Sequence, residues 1–312
     1  LADGSEAEFG ALSKTAFEEK CRQNTLEGSV YQNIKKMLSD SKNQESIRNG
    51  FPKESIPRRN HGYAIDLLLH SEPFSDTGEA FNFCKLLAGS EGTLAFSTEI
   101  KLNLVPVPPK QVAVVCAHFD KLDDAFHANL IALKYKPGAV EMMDKTVLDC
   151  TKGNIEQMKN RFFVKGDPKS MLMIEFARET KEEIETLAEK MEAEMREAGY
   201  GYHFPVLWDS DTKKVWDLRK AGLGLLSNVP GDKRSVTVIE DTAVSVEDLP
   251  QYMKEFGKIL DKYQLNCVHY AHIGTGELHL RPMLNLKDEK DLKLFRTVLD
   301  EIAHLVKKYR GS

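Results

Sequence analysis

Two histidines near the C-terminus flank a glycine-containing turn, at a spacing that could bind a metal ion. The segment from Val268 to Pro282 reads VHYAHIGTGELHLRP, two strand-like runs around two glycines, which predicts a β-hairpin. If Thr275 and Gly276 form a two-residue loop, His272 lies directly opposite His279. Cβ atoms of opposed residues are roughly 4.5–5.5 Å apart, close enough for two imidazoles to bind one divalent ion.

The same register places a set of polar side chains on one face of the hairpin. It pairs Gly274 with Glu277 and Tyr270 with Arg281, and period-two alternation collects the polar residues Tyr270, His272, Glu277, His279 and Arg281. A core sheet is not normally filled with ionisable side chains. The alternative is a solvent-facing hairpin whose histidines merely pair across strands, and the spacing alone leaves both open. The remaining candidates are interpreted as surface or helix-face histidines: His118, His127 and His304.

A second candidate site is a glycine- and hydroxyl-rich turn before a strand-like stretch. Its residues are Gly89, Ser90, Glu91, Gly92 and Thr93. Glycines let backbone N–H groups converge on an anion, and the hydroxyls add donors, so the turn could hold a phosphate group. An ordinary tight turn would have the same pattern.

The elements that must position these residues fall into two regions. Residues 31–57 predict a helix followed by a long loop, and Phe96 to Leu104 alternate as a strand. The proline run at 106–109 predicts a domain boundary. Beyond it, predicted strands at 112–118, 171–177, 236–239 and 267–273 alternate with predicted helices, of which one begins with a capping box at Thr180 and Glu183. This pattern predicts a sheet covered by helices on one face.

Composition excludes several classes of protein. Apolar residues make up 41% and charged residues 29% of the 312 residues, and the net charge of −5 gives no reason to expect nucleic acid as a partner. No apolar run approaches the roughly 20 residues of a membrane helix. The five cysteines never form C-x-x-C, which argues against a disulfide framework or a cysteine-bound cluster and favours a reducing cytoplasm. No G-x-G-x-x-G or P-loop motif signals a nucleotide site.

Three segments together resemble a known family. The stretch LLAGSEGTL from Leu86 to Leu94, followed by Glu99 and the proline run, resembles the signature that closes the FAD domain of FAD-linked oxidases of the vanillyl-alcohol oxidase type. The hairpin motif from His272 to His279 resembles that of their D-2-hydroxyacid branch, the D-lactate, glycolate and D-2-hydroxyglutarate dehydrogenases. A further stretch, Asn60-x-Gly62-Tyr63, is also similar to the family.

The resemblance implies an α+β fold in two domains. Residues 1–105 would be the second subdomain of the FAD-binding domain, with the first subdomain missing. Residues 106–312 would be a ferredoxin-like substrate (cap) domain, an antiparallel sheet covered by helices. The family's flavin-pyrophosphate loop is then expected upstream of Leu1. A Glu-His segment with a third metal ligand and a base is expected beyond Ser312. We therefore expect an inactive fragment of a larger fusion, in which an iron–sulfur cluster could lie outside this chain.

The resemblance also implies roles for particular residues. FAD would contact the turn from Gly89 to Thr93 together with Asn60 and Gly62. Arg219, which by pattern alone would be a surface arginine on an amphipathic helix, would receive the substrate carboxylate. His272 and His279 would hold zinc or manganese. The family has Asp and Asn where this chain has Thr275 and Glu277, so Glu277 is a candidate additional ligand.

The expected reaction is oxidation of a D-2-hydroxy acid to the 2-oxo acid, with hydride passing to FAD and a metal assisting. Lactate, glycolate and 2-hydroxyglutarate all remain candidate substrates. An electron-acceptor protein or quinone is the expected partner, with a cytoplasmic location, peripheral membrane association through that acceptor, and a homodimer left open. Two alternatives remain: a metal-dependent hydrolase that uses the hairpin of His272 and His279, and a non-catalytic interaction module.

Overall fold

The computed structural model describes residues 1–59, 62–76 and 79–312, and the chain forms two compact units. The first consists of Leu1–Pro52 and Asn60–Val105, and the second of Lys53–Arg59 and Pro106–Ser312. The units part at the proline run, but the short segment Lys53–Arg59 belongs with the second. That the first unit is part of an FAD-binding domain stays a prediction.

The first unit is helical in its described residues, which form α1 (Lys14–Cys21), α2 (Leu26–Ser39), α3 (Ser41–Gly50), α4 (Ile65–Leu69) and α5 (Cys84–Leu87). The predicted loop after α2 is wrong, because Asp40 accepts hydrogen bonds from the backbone N–H groups of Lys42 and Asn43 and so caps a further helix. Aromatic rings fill the core between these helices, with Phe17, Tyr31, Phe81 and Phe83 in edge or tilted contacts.

The predicted strand from Phe96 to Leu104 is wrong for the part of the chain that is described. This stretch has no regular secondary structure and forms no paired strand, and the side chains of Phe96 and Leu104 are 88% and 92% exposed. An alternating pattern gives a strand only when a neighbouring backbone supplies the ladder and a core receives the apolar face. No described segment does either here.

The second unit is an antiparallel sheet with helices. Its strands are β1 (Gln111–Phe119), β2 (Ala139–Asp144), β3 (Ser170–Arg178), β4 (Val206–Trp208), β5 (Arg234–Ser235), β6 (Ile239–Ala243), β7 (Cys267–His272) and β8 (Glu277–Leu284). Its helices are α6 (Leu122–Lys134), α7 (Lys145–Lys152), α8 (Ile155–Asn160), α9 (Lys181–Glu197), α10 (Ser210–Leu225), α11 (Leu249–Tyr263) and α12 (Glu289–Lys308). None of the helices in the described ranges is both long and apolar enough to cross a bilayer.

Strand order confirms the predicted fold class. The sheet runs β4-β1-β3-β2-β7-β8-β5, with β6 also pairing with β8, and every pairing is antiparallel. The first four strands with α6 and α9 form the β-α-β-β-α-β arrangement of a ferredoxin-like fold, and β7 and β8 extend its sheet. The capping box predicted at Thr180 and Glu183 does begin α9.

The sheet carries helices on both faces, so the prediction of one covered face is wrong. One core packs α6, α9, α11 and α12 on residues such as Val115 and Ile174, while the other packs α7 and α10 on Val114 and Met173. Strand β1 is consequently buried without interruption from Ala113 to Phe119. A strand buried on both faces has a nearly continuous apolar run, which hides its two-sidedness in the sequence. The second layer of helices matters because it carries Arg219.

His118 lies inside β1 and is fully buried, so its interpretation as a surface histidine is wrong. Its Nδ1 lies 2.8 Å from the carbonyl oxygen of Cys116, and its Nε2 accepts from the backbone N–H of Lys165 at 3.4 Å. Burial lowers the pKa of His118 to about 4. The ring is therefore a neutral core residue at neutral pH.

Candidate active site

The hairpin of β7 and β8 forms, but its register differs from the predicted one by two residues. Tyr270 lies opposite His279, and His272 lies opposite Glu277. The loop is four residues long because a 3-10 turn at Ile273–Thr275 precedes Gly276, which has a φ of 75°. Only glycine fits there, since an added Cβ would meet the carbonyl oxygen of Val244 at 2.0 Å.

The shift leaves the polar face intact, because a slip of two residues preserves side-chain alternation. His272 and His279 are diagonal neighbours, and their ring centroids are 5.0 Å apart. Imidazole nitrogens bind zinc at about 2.0–2.1 Å, so two rings at this separation can reach one ion. The structure thus brings together the two histidines that the sequence singled out.

Arg219 lies against the same hairpin, so its reading as a surface arginine on a helix is wrong. It projects from α10, and Gly222, one turn later, lets this helix approach α7 closely, because a Cβ there would meet a Val147 methyl group at 2.5 Å. The Arg219 side chain is 12% exposed, and its Nη2 lies 3.4 Å from Nδ1 of His272. The helix packing therefore positions a guanidinium beside the first histidine.

Tyr270 packs against the guanidinium of Arg219 and hydrogen-bonds to its backbone. The guanidinium carbon lies 4.2 Å from the centre of the Tyr270 ring, a cation–π contact, and the phenol donates to the Arg219 carbonyl oxygen at 3.0 Å. Burial raises the pKa of Tyr270, so the phenol stays protonated. Nη2 of Arg219 also donates to the carbonyl oxygen of Ala271 at 3.3 Å, while its buried Nε has no hydrogen-bond partner among the described residues. That unpaired donor is available to a ligand.

Glu141, which the sequence analysis missed, joins the arginine to the histidine. It lies on β2, and both carboxylate oxygens are 2.9 Å from Nδ1 of His272. Oε2 also forms an ion pair with Nη2 of Arg219. Glu141 and His272 are 131 positions apart, and no local pattern connects them.

Two more acidic residues that the sequence analysis missed lie beside His279. Strand β6 has an irregularity between Glu240 and Thr242, where Asp241 takes a φ of 62°. Oδ1 of Asp241 is 2.6 Å from Nδ1 of His279, and Oε1 of Glu240 is 3.6 Å from it. Among the residues that the structure describes, no group lies in the direction that a hydrogen bond to this buried Nδ1 needs, so Nδ1 has no partner despite these short distances. The sequence signal that could have found them is the pair of adjacent acids, Glu240 and Asp241, in a strand.

Within the part of the chain that the structure describes, the residues grouped closely enough to chelate a metal are Glu240, Asp241 and His279. Their ligand atoms all lie within 4.8 Å of one another. Nδ1 of His272 instead engages Glu141, and the predicted additional ligand Glu277 lies opposite His272 with its Oε2 3.0 Å from Nε of Arg58. Glu240 is itself paired with Arg281, whose Nε donates to it at 3.0 Å.

The glycine-rich turn forms in the first unit. Glu91 adopts a positive φ, as do both glycines, and the backbone N–H groups of Ser90 and Thr93 donate to Leu87 and Ser90 carbonyl oxygens at 3.0 Å. The Thr93 hydroxyl donates to the carbonyl oxygen of Ser90 at 2.6 Å and contacts the Tyr63 phenol at 2.7 Å. These donors are thus used within the unit. Gly62 has a φ of 63°, and Asn60 lies outside the described residues. Flavin contacts by this turn stay a prediction.

Residues 108–312 match the family model of FAD linked oxidases, C-terminal domain. The chain belongs to this family. Membership confirms the family resemblance that the sequence indicated.

Several relatives of the chain are named as D-2-hydroxyacid dehydrogenases. The chain is 30% identical over 308 residues to D-2-hydroxyglutarate dehydrogenase of Pantoea ananatis, covering 95% of the chain and 29% of that protein. It is 32% identical over 251 residues to the Haemophilus influenzae enzyme of the same name, covering 76% and 24%. A D-lactate dehydrogenase of Archaeoglobus fulgidus is 24% identical over 225 residues, covering 72% and 47%. The chain therefore spans less than half the length of each.

Proposed function

We propose that this chain provides the substrate side of an FAD-dependent D-2-hydroxyacid dehydrogenase. The observation that carries the proposal is the contact between Arg219 and the histidine hairpin, with Nη2 of the arginine 3.4 Å from His272. A 2-hydroxy acid carries its hydroxyl on the carbon next to the carboxylate. The groups that bind the two must therefore be neighbours, and Arg219 and His272 are neighbours.

Arg219 would bind the substrate carboxylate. Its guanidinium can make two parallel charge-assisted hydrogen bonds, and the unpaired Nε is one of the donors needed. The ion pair with Glu141 leaves Nε unused, so the arginine is oriented and still able to bind a ligand. Packing against Tyr270 excludes water from one side of the guanidinium.

His272 and His279 would hold a divalent ion, zinc or manganese. The 5.0 Å separation of their rings and the unpartnered Nδ1 of His279 beside Asp241 fit a metal site. The ion would make a bound hydroxyl more acidic, and FAD would supply the hydride acceptor. The same proposal includes an electron acceptor, either a protein or a quinone, and an iron–sulfur cluster elsewhere in the complete protein. It also includes a homodimer and peripheral membrane association.

The visible spectrum of the complete gene product tests this function. We expect a yellow protein whose flavin bands bleach when D-lactate or D-2-hydroxyglutarate is added without oxygen. The L-enantiomers serve as controls and should leave the bands unchanged. A colourless protein that cannot be loaded with FAD would contradict the proposal, and zinc-dependent hydrolysis of an ester by that protein would favour a hydrolase.

A further inference from the structure

Glu141 contacts both functional groups of the proposed site at once. Continuing the pairing of Met142 with Ala271 by one residue places Glu141 opposite His272, on the face that also carries the hairpin's polar residues. Its carboxylate, whose side chain is 14% exposed, accepts from His272 and is paired with Arg219. These two contacts explain an acid at this position even if Glu141 touches neither a metal ion nor a substrate.

The contact determines which nitrogen of His272 carries the proton. A neutral imidazole has one donor nitrogen and one acceptor nitrogen, and a carboxylate can only accept. With both Glu141 oxygens 2.9 Å from Nδ1, the hydrogen belongs on Nδ1, and Nε2 is left with its lone pair. Oδ1 of Asp241 likewise lies beside Nδ1 of His279. Each of the two histidines therefore has a carboxylate from another strand next to its Nδ1.

We infer that Glu141 is a positioning residue that holds His272 in the Nδ1–H tautomer and Arg219 in place, and so couples the metal-binding imidazole to the carboxylate-binding guanidinium. The inference rests on the proposed function for the roles of those two groups. A carboxylate behind a ligating histidine orients the ring and increases its basicity. Here the same carboxylate would also set the separation between the substrate's two anchors.

Zinc affinity tests the metal half of this inference. Zinc chloride is titrated into the 312-residue chain in competition with a chromogenic chelator, for the wild type, Glu141→Gln and Glu175→Gln. Glu175 is a matched control because it is a carboxylate of the same sheet that accepts a hydrogen bond from the Trp216 indole at 3.2 Å. We expect Glu141→Gln to weaken zinc binding by about 10-fold or more, the usual effect of losing such a partner, and the control to bind as the wild type does.

The tautomer of His272 provides a readout that a merely structural role would not change. Nitrogen-15 shifts of the histidine rings are recorded in the metal-free chain at pH 8, with the His272 signals assigned by their absence in His272→Gln. We expect the wild type to show a protonated Nδ1. Glu141→Gln should move His272 toward the Nε2–H form that free neutral histidine prefers in water, while Glu175→Gln should not.

The two measurements separate this inference from the proposed function. Unchanged ring shifts in Glu141→Gln overturn the inference, whatever the flavin experiment shows. Changed shifts with weakened zinc binding support it. If the wild type binds no zinc, the metal part of the proposed function fails, and the ring shifts of the metal-free chain still decide the role of Glu141.

Discussion

Acid should destabilise this protein through His118, a fully buried imidazole whose two ring nitrogens face backbone groups. Burial lowers its pKa from 6.5 to about 4. Between those values the unfolded chain binds a proton that the folded chain does not, so the free energy of unfolding falls as pH falls from 6.5 toward 4. Linkage gives a loss of about 1.4 kcal/mol by pH 5.5 and about 2.5 kcal/mol by pH 4.5.

The assay is urea unfolding at pH 7.5, 6.5, 5.5 and 4.5 for the wild type and His118→Gln. The variant is less stable at pH 7.5, because it changes a packed ring, but it lacks this titration. The difference in free energy of unfolding between the wild type and His118→Gln should therefore narrow by the amounts just given. His203 contacts the same ring, with centroids 5.0 Å apart, and burial lowers its pKa too, so its contribution is common to both proteins. A gap that stays constant with pH would refute the assignment of a buried neutral imidazole.

Two further predictions concern stability. Gly276→Ala should lower the free energy of unfolding by more than about 2 kcal/mol, because its Cβ would meet the carbonyl oxygen of Val244 and its φ is positive. The control Gly257→Ala in α11 has open space around the added methyl group and should be neutral or stabilising. Equal urea midpoints for Gly276→Ala and Gly257→Ala would count against the hairpin geometry. Thr180→Ala should lower the free energy of unfolding by about 1 kcal/mol through loss of the α9 capping box. The control Thr297→Ala removes a hydroxyl that makes an exposed hydrogen bond within α12 and should change the urea midpoint little. A larger loss in Thr297→Ala than in Thr180→Ala would contradict the cap.

The polar face of the hairpin could be predicted from the sequence, but the strand register could not. Alternation with a period of two depends only on the strands being extended, so His272 and His279 were placed on one face correctly. Register depends on the turn, and the two-residue loop assumed for Thr275 and Gly276 is part of a four-residue turn. An error of two residues moves every partner while leaving each residue on its face.

Local patterns did not connect the acids to the histidines. Glu141 reaches His272 across 131 positions of chain, and Asp241 reaches His279 through a strand irregularity that has no reliable local pattern. Arg219 was selected by resemblance alone, because the layer of helices that brings it to the site packs on a face not expected to be covered. Period and capping predicted elements such as α9 well, since these depend on neighbouring residues.

The account's central claim is that Arg219 binds the substrate carboxylate beside the histidine hairpin. Anaerobic stopped-flow reduction of the flavin in the complete gene product tests it most directly, over a series of D-2-hydroxyglutarate or D-lactate concentrations. Arg219→Lys should raise the substrate Kd by roughly 10-fold or more, since a lysine cannot reproduce the two parallel hydrogen bonds, while Arg196→Lys, an exposed arginine paired with Glu192, should leave it unchanged. An unaltered Kd in Arg219→Lys would contradict the account.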